Sequence, residues 1–300
     1  MQDVIIIGCG PAGMTAALYL KRANKKVLIL EKETIGGAIA SSPLVENYPG
    51  LKAISGSELA LNMYDQITDL GVDIELEEVS SIEDGDIKTV KTKDGNEYKA
   101  PAVIIATGTK YRLLGLPNEE ELIGKGIHFC VSCDGAFYKE KTVAVIGGGN
   151  SAIVNAITLA QLCKKVYVIQ NLADLTCEET LKEKVKSLSN VEIIYNATVN
   201  EIIGDDALQA IVVTSDGIES KLALDGMFIS IGLIPQNDAF SSLIKLDKNK
   251  YIKSSDCKTN VDGIFVAGDA RSKDYRQVTT AVGDGTIAAQ NALKYLNEME

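Results

Sequence analysis

No run of about 18 consecutive apolar residues occurs in this 300-residue chain, because Gly and Pro interrupt the longest candidate, residues 4–20. A membrane-spanning helix is therefore not expected. No basic segment precedes the first apolar run, which leads straight into a glycine loop and reads as a strand rather than a signal peptide. Positive charge is in deficit: 30 Lys and Arg against 41 Asp and Glu leave a net charge of −11. That argues against nucleic acid and membrane as partners, since both present anions and need a basic face. The six cysteines are too sparse for a disulfide-stapled secreted domain, so a reducing cytoplasmic setting is expected. Histidine is nearly absent. Without a second Cys-x-x-Cys or a His pair, no zinc site can be completed around Cys130 and Cys133, and no metal is expected. His128, the single histidine, reads as a packing residue.

What is present is glycine in ordered places. Residues 4–7 read as a strand ending in Gly8-Cys9-Gly10-Pro11-Ala12-Gly13, followed by a helical pattern over 14–23 and a strand over 27–30 that ends at Glu31. Glu31 lies 23 positions after Gly8, close to the spacing of a dinucleotide-binding βαβ unit. Gly8 permits a tight turn, Gly10 lets backbone approach a pyrophosphate, and Gly13 lets the helix pack on the strand. The helix N-terminus offers N–H groups to that pyrophosphate, and Glu31 can accept from a ribose. Gly36-Gly37 and Asn47-Tyr48-Pro49-Gly50 read by themselves as ordinary turns. A helix follows over 57–70, then strand alternation over 72–90 with a turn at Asp84-Gly85, and after it a hairpin turn at Asp94-Gly95. The apolar run 102–105 leads into Ala106-Thr107-Gly108.

Residues 114–122 form a polar connector. A second strand, glycine loop, helix and strand then repeat the first unit: 143–146, Gly147-Gly148-Gly149-Asn150-Ser151-Ala152, a helical stretch to 163, and 166–169. A helix over 178–188, a strand over 191–195 and ribbon strands over 201–213 and 221–224 precede a closing strand at 227–232. The chain crosses back from about residue 237, through a strand at 263–266 ending in Ala267-Gly268-Asp269, to a helix over 278–293. The expected class is α/β: two Rossmann-like, three-layer dinucleotide-binding domains, the second inserted into the first, with antiparallel ribbons. The expected boundaries are 1–113 with 240–300 for the outer domain and 116–237 for the inserted one.

Between the two glycine loops lies Cys130-Val131-Ser132-Cys133-Asp134. A dithiol there points to electron transfer. A thiolate attacks a disulfide sulfur, its partner resolves the mixed disulfide, and a neighbouring carboxyl can move the proton. Cys9, Cys163, Cys177 and Cys257 are scattered and read as small core residues.

Together these motifs resemble low-molecular-weight thioredoxin reductases over essentially the whole chain. The matching residues are the Gly8 loop, Glu31, Gly36-Gly37, residues 45–50, Ala106-Thr107-Gly108, Cys130-x-x-Cys133-Asp134-Gly135, the Gly147 loop, Gly268-Asp269 and Arg276-Gln277-Val278. The resemblance implies FAD held by the first and last segments. Glu31 would meet the adenosine ribose and Asp269 the ribityl hydroxyls. Asn47 with backbone around Gln277 and Val278 would line the flavin. Further cofactor contacts are implied at Gly8, Gly10, Pro11, Ala12, Gly13, Lys32, Gly36, Gly37, Val79, Ala106, Thr107, Gly108, Gly268 and Arg276. It also implies Cys133 as the flavin-side thiol, Cys130 as the interchange thiol, Asp134 as the acid–base group, thioredoxin as partner, and a homodimer.

One stretch departs from the pattern. NADPH-dependent members follow the second glycine loop's strand with arginines that clamp a 2′-phosphate. Here the stretch is Gln170-Asn171-Leu172-Ala173-Asp174-Leu175-Thr176, without an arginine and without a carboxylate at the strand end for an NAD ribose. The family's loop Asp is Asn150, and the acidic residue of the following helix is Asn155. This resembles the ferredoxin-dependent flavin thioredoxin reductases of clostridia, with reduced ferredoxin as electron donor. The alternatives are an NADPH- or NADH-dependent reductase with unusual contacts, an oxygen-using dithiol oxidase, and a flavin-containing redox sensor without turnover.

Overall fold

A computed structural model describes residues 1–42 and 44–299. The chain divides into two compact units, 1–110 with 234–300, and 111–233.

In the first unit a five-stranded parallel sheet is ordered Ile264–Val266, Ala102–Ile105, Val4–Ile7, Val27–Glu31, Asp73–Leu76. Its central strands are apolar along their whole length because both faces are covered. Val4, Ile6 and Ile29 pack with Met14, Ala17 and Leu20 of the helix Pro11–Arg22, and with Ala288 and Ala292 of the helix Val278–Met299. Ile5, Ile7, Leu28 and Leu30 face the other way, onto Val79, Ile82 and Val90 of a three-stranded antiparallel ribbon, Val79–Glu83, Lys88–Thr92 and Glu97–Ala100. The two-residue period of a strand thus feeds two separate cores.

The second unit repeats the three layers. Its parallel sheet is ordered Val191–Ile194, Lys165–Ile169, Thr142–Ile146, Gly226–Ile229, Ile127–His128. Val143, Val145, Val166 and Val168 pack under the helix Asn150–Ala160, and Ala144 and Ile146 pack on a ribbon of Ala197–Gly204, Leu208–Ser215 and Ile218–Ala223. Both units are Rossmann-like, the second inserted into the first.

The outgoing and returning chain run side by side, as Thr109–Tyr111 and Leu233–Pro235. Gln236 N donates to Gly108 O within the first unit, and Arg112 N to Gly232 O within the second. The connector 114–122 is more ordered than its polarity implied. Glu119 is buried, and its carboxylate accepts from the N–H groups of Leu114, Gly115 and Leu116. No helix among the described residues is long and apolar enough to cross a membrane.

Candidate active site

Cys130 follows the edge strand Ile127–His128 and precedes the short helix Val131–Asp134. The N–H groups of Cys133 and Asp134 both donate to Cys130 O, at 3.2 and 3.0 Å. That single tight turn brings the cysteines to a Cα separation of 5.3 Å, and they are joined as a disulfide. Both are half-buried, with Ser132 exposed between them. Asp134, one residue on, is buried at 6% exposure.

The structure corrects the reading of His128 as mere packing. Its Nδ1 lies 3.2 Å from Asp134 Oδ2 and its Nε2 2.7 Å from the Tyr138 hydroxyl. It is 4% exposed and stacks on Phe228, its neighbour across the sheet. Asp134 Oδ1 is buried and has no hydrogen-bond partner among the described residues. Burial, and then the charges of Asp134 and Asp225, push the Tyr138 phenol up to about 12. The other four cysteines are buried. Burial and the Glu31 carboxylate raise the Cys9 thiol to about 12, which keeps it from acting as a thiolate.

In the first unit the glycine loop divides by role. A Cβ on Gly8 would lie 2.4 Å from Ala106 O, and one on Gly13 would lie 2.0 Å from Gly8 O. The protein's own packing demands both glycines. Gly10 is different: its φ is −82°, and the nearest atom to a Cβ there is Gly36 O at 3.9 Å. Nothing among the described residues fills that space, which leaves room for a ligand's close approach to backbone. Pro11 and Ala12 open the helix that starts there, and no side chain caps it. Glu31 is buried and held by Cys9 N at Oε2 and Glu33 N at Oε1. Lys32 is exposed and donates to Gln236 Oε1. Gly36 N donates to Cys9 O, and a Cβ on Gly37 would lie 3.5 Å from Gly10 Cα, so this turn belongs to the same cradle.

The last segment closes on the same unit. Asn47 Nδ2 donates to Gln277 Oε1 at 3.3 Å, joining two residues 230 apart in sequence. Gly268 has φ 73°, and a Cβ there would meet Ala12 Cβ at 2.9 Å. Asp269 Oδ1 is buried 3.2 Å from Lys273 Nζ, yet accepts no hydrogen bond of good geometry. Burial raises the Asp269 carboxyl above the usual range, against the opposing pull of Lys273. The Arg276 guanidinium lies over the Tyr251 ring at 4.1 Å, and its buried Nε has no partner among the described residues. Two orphaned polar atoms and an open middle glycine are what a dinucleotide would satisfy. Gly108 has φ 65° and open space around it, while Val278 starts the last helix. Val79 is buried in the ribbon core.

Two supporting residues escaped the sequence reading. Asn237, fully buried, accepts from Thr107 Oγ1 and donates to Lys250 O and Ala270 O. Asp284, on the last helix, pairs with Arg271 at 2.7 Å and Lys273 at 3.1 Å and accepts from Gly268 N. A buried Asn or Asp carries no periodic signal that could have announced it.

The second glycine loop is covered by its own chain. A Cβ on Gly148 would lie 2.5 Å from the Gln170 carboxamide carbon. Gln170 is 2% exposed and donates from Nε2 to Asp174 O. Thr176 N donates to Gly148 O, and Glu178 and Asn150 exchange two hydrogen bonds at the start of the helix Asn150–Ala160. Residues 170–178 contain Asp174 and Glu178 but no cation. The nearby Lys182 is engaged by Asp174 at 2.7 Å and Glu179 at 3.6 Å.

Residues 2–285 match the family model of the pyridine nucleotide-disulphide oxidoreductases. The chain is 43% identical over 305 residues to a thioredoxin reductase of Listeria innocua, covering 100% of this chain and 95% of that one. It is 42% identical over 301 residues to a 34.2 kDa protein in the rubredoxin operon of Clostridium pasteurianum, covering 98% and 97%. The crystal structure of thioredoxin reductase from Streptococcus pyogenes superposes with a TM-score of 0.95 at 41% identity, over 99% of each chain. Proteins of this family are FAD-binding flavoproteins, and FAD fits the cradle around Gly10, Asp269 and Arg276. The chain belongs to the pyridine nucleotide-disulphide oxidoreductase family and is a thioredoxin reductase-like flavoprotein disulfide oxidoreductase.

Proposed function

We propose that this enzyme reduces thioredoxin through Cys130 and Cys133 with electrons from reduced ferredoxin rather than from NADPH or NADH. The observation that carries this reading is the covered second glycine loop: Gln170 lies against Gly148, and residues 170–178 offer two carboxylates and no cation to a nucleotide phosphate. A 2′-phosphate needs bidentate cationic partners, and Arg112 is the sole arginine between residues 111 and 233. The Clostridium pasteurianum relative, described by its rubredoxin operon, supports looking past nicotinamides for the donor. An acidic ferredoxin calls for a local basic patch. Lys245, Lys253 and Lys258 line one open cavity of about 570 Å³, with Asp256 its single acid.

In this reading the Gly8 loop, Glu31, Asp269 and the Arg276-Gln277-Val278 segment would hold FAD, which would supply electrons to the disulfide. The Cys130 thiolate attacks a sulfur of the thioredoxin disulfide, whose S–S bond breaks, and the leaving thiolate takes a proton. Cys133 then attacks the Cys130 sulfur of the mixed disulfide and releases the second thioredoxin thiolate, which is protonated in turn. Asp134 moves these protons. The enzyme acts as a homodimer.

The test is anaerobic. Oxidised yellow protein is mixed separately with NADPH, NADH and enzymatically reduced ferredoxin, with thioredoxin present, and the flavin band is followed. Ferredoxin alone is expected to bleach the flavin and generate thioredoxin thiols. Fast bleaching by either nicotinamide would overturn the donor assignment, and silence with all three would favour a dithiol oxidase.

A further inference from the structure

We propose that His128 is the proton-exchange partner of Asp134, the centre of a buried Tyr138–His128–Asp134 chain behind the Cys130–Cys133 disulfide. The proposal rests on the reading of Asp134 as the acid–base group.

Both imidazole nitrogens are engaged, Nδ1 by Asp134 Oδ2 and Nε2 by the Tyr138 hydroxyl. A buried imidazole used only for packing would be better replaced by an apolar ring, because its polar atoms cost free energy unless bonded. Here the bonds form a chain that stays satisfied in two protonation states. With His128 as imidazolium, Nδ1–H donates to the Asp134 carboxylate and Nε2–H to the Tyr138 oxygen. With the proton moved onto Asp134, the carboxyl donates to Nδ1, and Nε2–H still donates to Tyr138. In both states the two imidazole nitrogens stay bonded. Asp134 Oδ1, buried and without a partner, is the oxygen left to serve a sulfur, and Asp134 shares a turn with Cys133.

The step balances. Two electrons from reduced FAD break the S–S bond. Asp134 takes one proton from His128 Nδ1 and passes it to the Cys133 sulfur. The products are a Cys133 thiol, a Cys130 thiolate ready to attack, an Asp134 carboxylate and a neutral imidazole. Around the chain, Asp225 adds a negative charge near Tyr138 and Lys141 Nζ sits 5.3 Å from the Tyr138 ring centre, while Phe228 covers the imidazole. The Tyr138 phenol keeps its proton throughout the neutral range. It therefore orients His128 rather than supplying protons. His128 and Tyr138 are positioning residues, acting on the disulfide through Asp134.

The experiment compares His128→Asn, His128→Gln, Tyr138→Phe and Asp134→Asn with the parent holoenzyme. The disulfide is reduced chemically, and the rate of iodoacetamide alkylation at Cys133 is followed from pH 5 to pH 9 by peptide mass spectrometry (the arms of the scan being about 2 units either side of neutral). The parent is expected to show an inflection in that rate profile that requires His128. Both His128 variants should lose that inflection and reduce thioredoxin roughly tenfold more slowly at pH 7, a smaller loss than that of Asp134→Asn. Tyr138→Phe should shift the inflection while keeping the ring packing. If Asp134→Asn loses the inflection and the His128 variants keep it, Asp134 is the acid and this proposal fails. If all variants keep it, the reading of Asp134 fails as well. Where a His128 variant does not fold, an unshifted curve for Tyr138→Phe overturns the chain.

Discussion

Gly10 and Gly13 stand three residues apart in one loop and answer to different masters. A Cβ on Gly13 strikes Gly8 O, so Gly13→Ala should cost at least about 2 kcal/mol or prevent folding. A Cβ on Gly10 meets open space. There the poorer N-cap and the stiffer unfolded chain roughly cancel, so Gly10→Ala should leave stability within about 1 kcal/mol of the parent. It should nonetheless purify colourless. A yellow Gly10→Ala protein would remove the pyrophosphate from that space. Asp269 gives a second residue-scale expectation. Its folded-state carboxyl is raised by burial, so the folded chain binds that proton more tightly than the unfolded chain does. The ionised form therefore destabilises the apoprotein above the folded pKa, and the penalty fades as pH falls through it. Asp269→Asn should melt higher than the parent apoprotein at pH 7, with the gap closing toward acid, while losing affinity for FAD. At this scale the sequence was legible wherever the constraint is local: glycines at a turn, two cysteines three apart, an acid at a strand end. His128 was not, because its partners come from the pairing of His128 with Phe228 and from a turn ten residues on. Neither leaves a period in the sequence.

At the scale of elements, the segment 170–178 carries the proposed choice of electron donor. Its lack of arginine was visible in the sequence; its closure over Gly148 was not, since a glutamine at a strand end reads equally well as a surface residue. Restoring charge alone should therefore be insufficient. Asn171→Arg with Leu172→Arg is expected to leave NADPH binding undetectable by titration calorimetry. Adding Gln170→Ala should bring it into the measurable range, since the carboxamide against Gly148 is then gone. Tight NADPH binding by the unaltered protein would show the segment to be a door rather than a wall. The parallel strands were easy to read because layers on both sides make them apolar without interruption. The connector 114–122 was harder, because a buried glutamate collecting three backbone N–H groups looks like any polar loop until it is folded.

At the scale of the whole molecule, the chain leaves the first unit at Lys110 and re-enters it at Ile234 through neighbouring strands. The inserted unit is one continuous stretch; the outer unit is not. Its edge strand Ile264–Val266 and the helix Val278–Met299, which packs on Pro11–Arg22, come from the far end of the chain. During synthesis, which runs from the N-terminus, the inner unit can be complete while the outer one still lacks a strand and a helix. A chain ending at residue 240 should accordingly resist proteolysis over 111–233 and form the Cys130–Cys133 disulfide, yet be digested over 1–110 and carry no flavin. Protection of 1–110 in that chain would show that the outer sheet needs no late strand. Asp269, Arg276 and Gln277 emerge from the ribosome after the whole inserted unit, so on the proposed assignment of these residues the dithiol is built before FAD can be held. A nascent chain at that stage has a finished thiol switch and no source of current, and translation itself keeps the enzyme off until the returning segment is made.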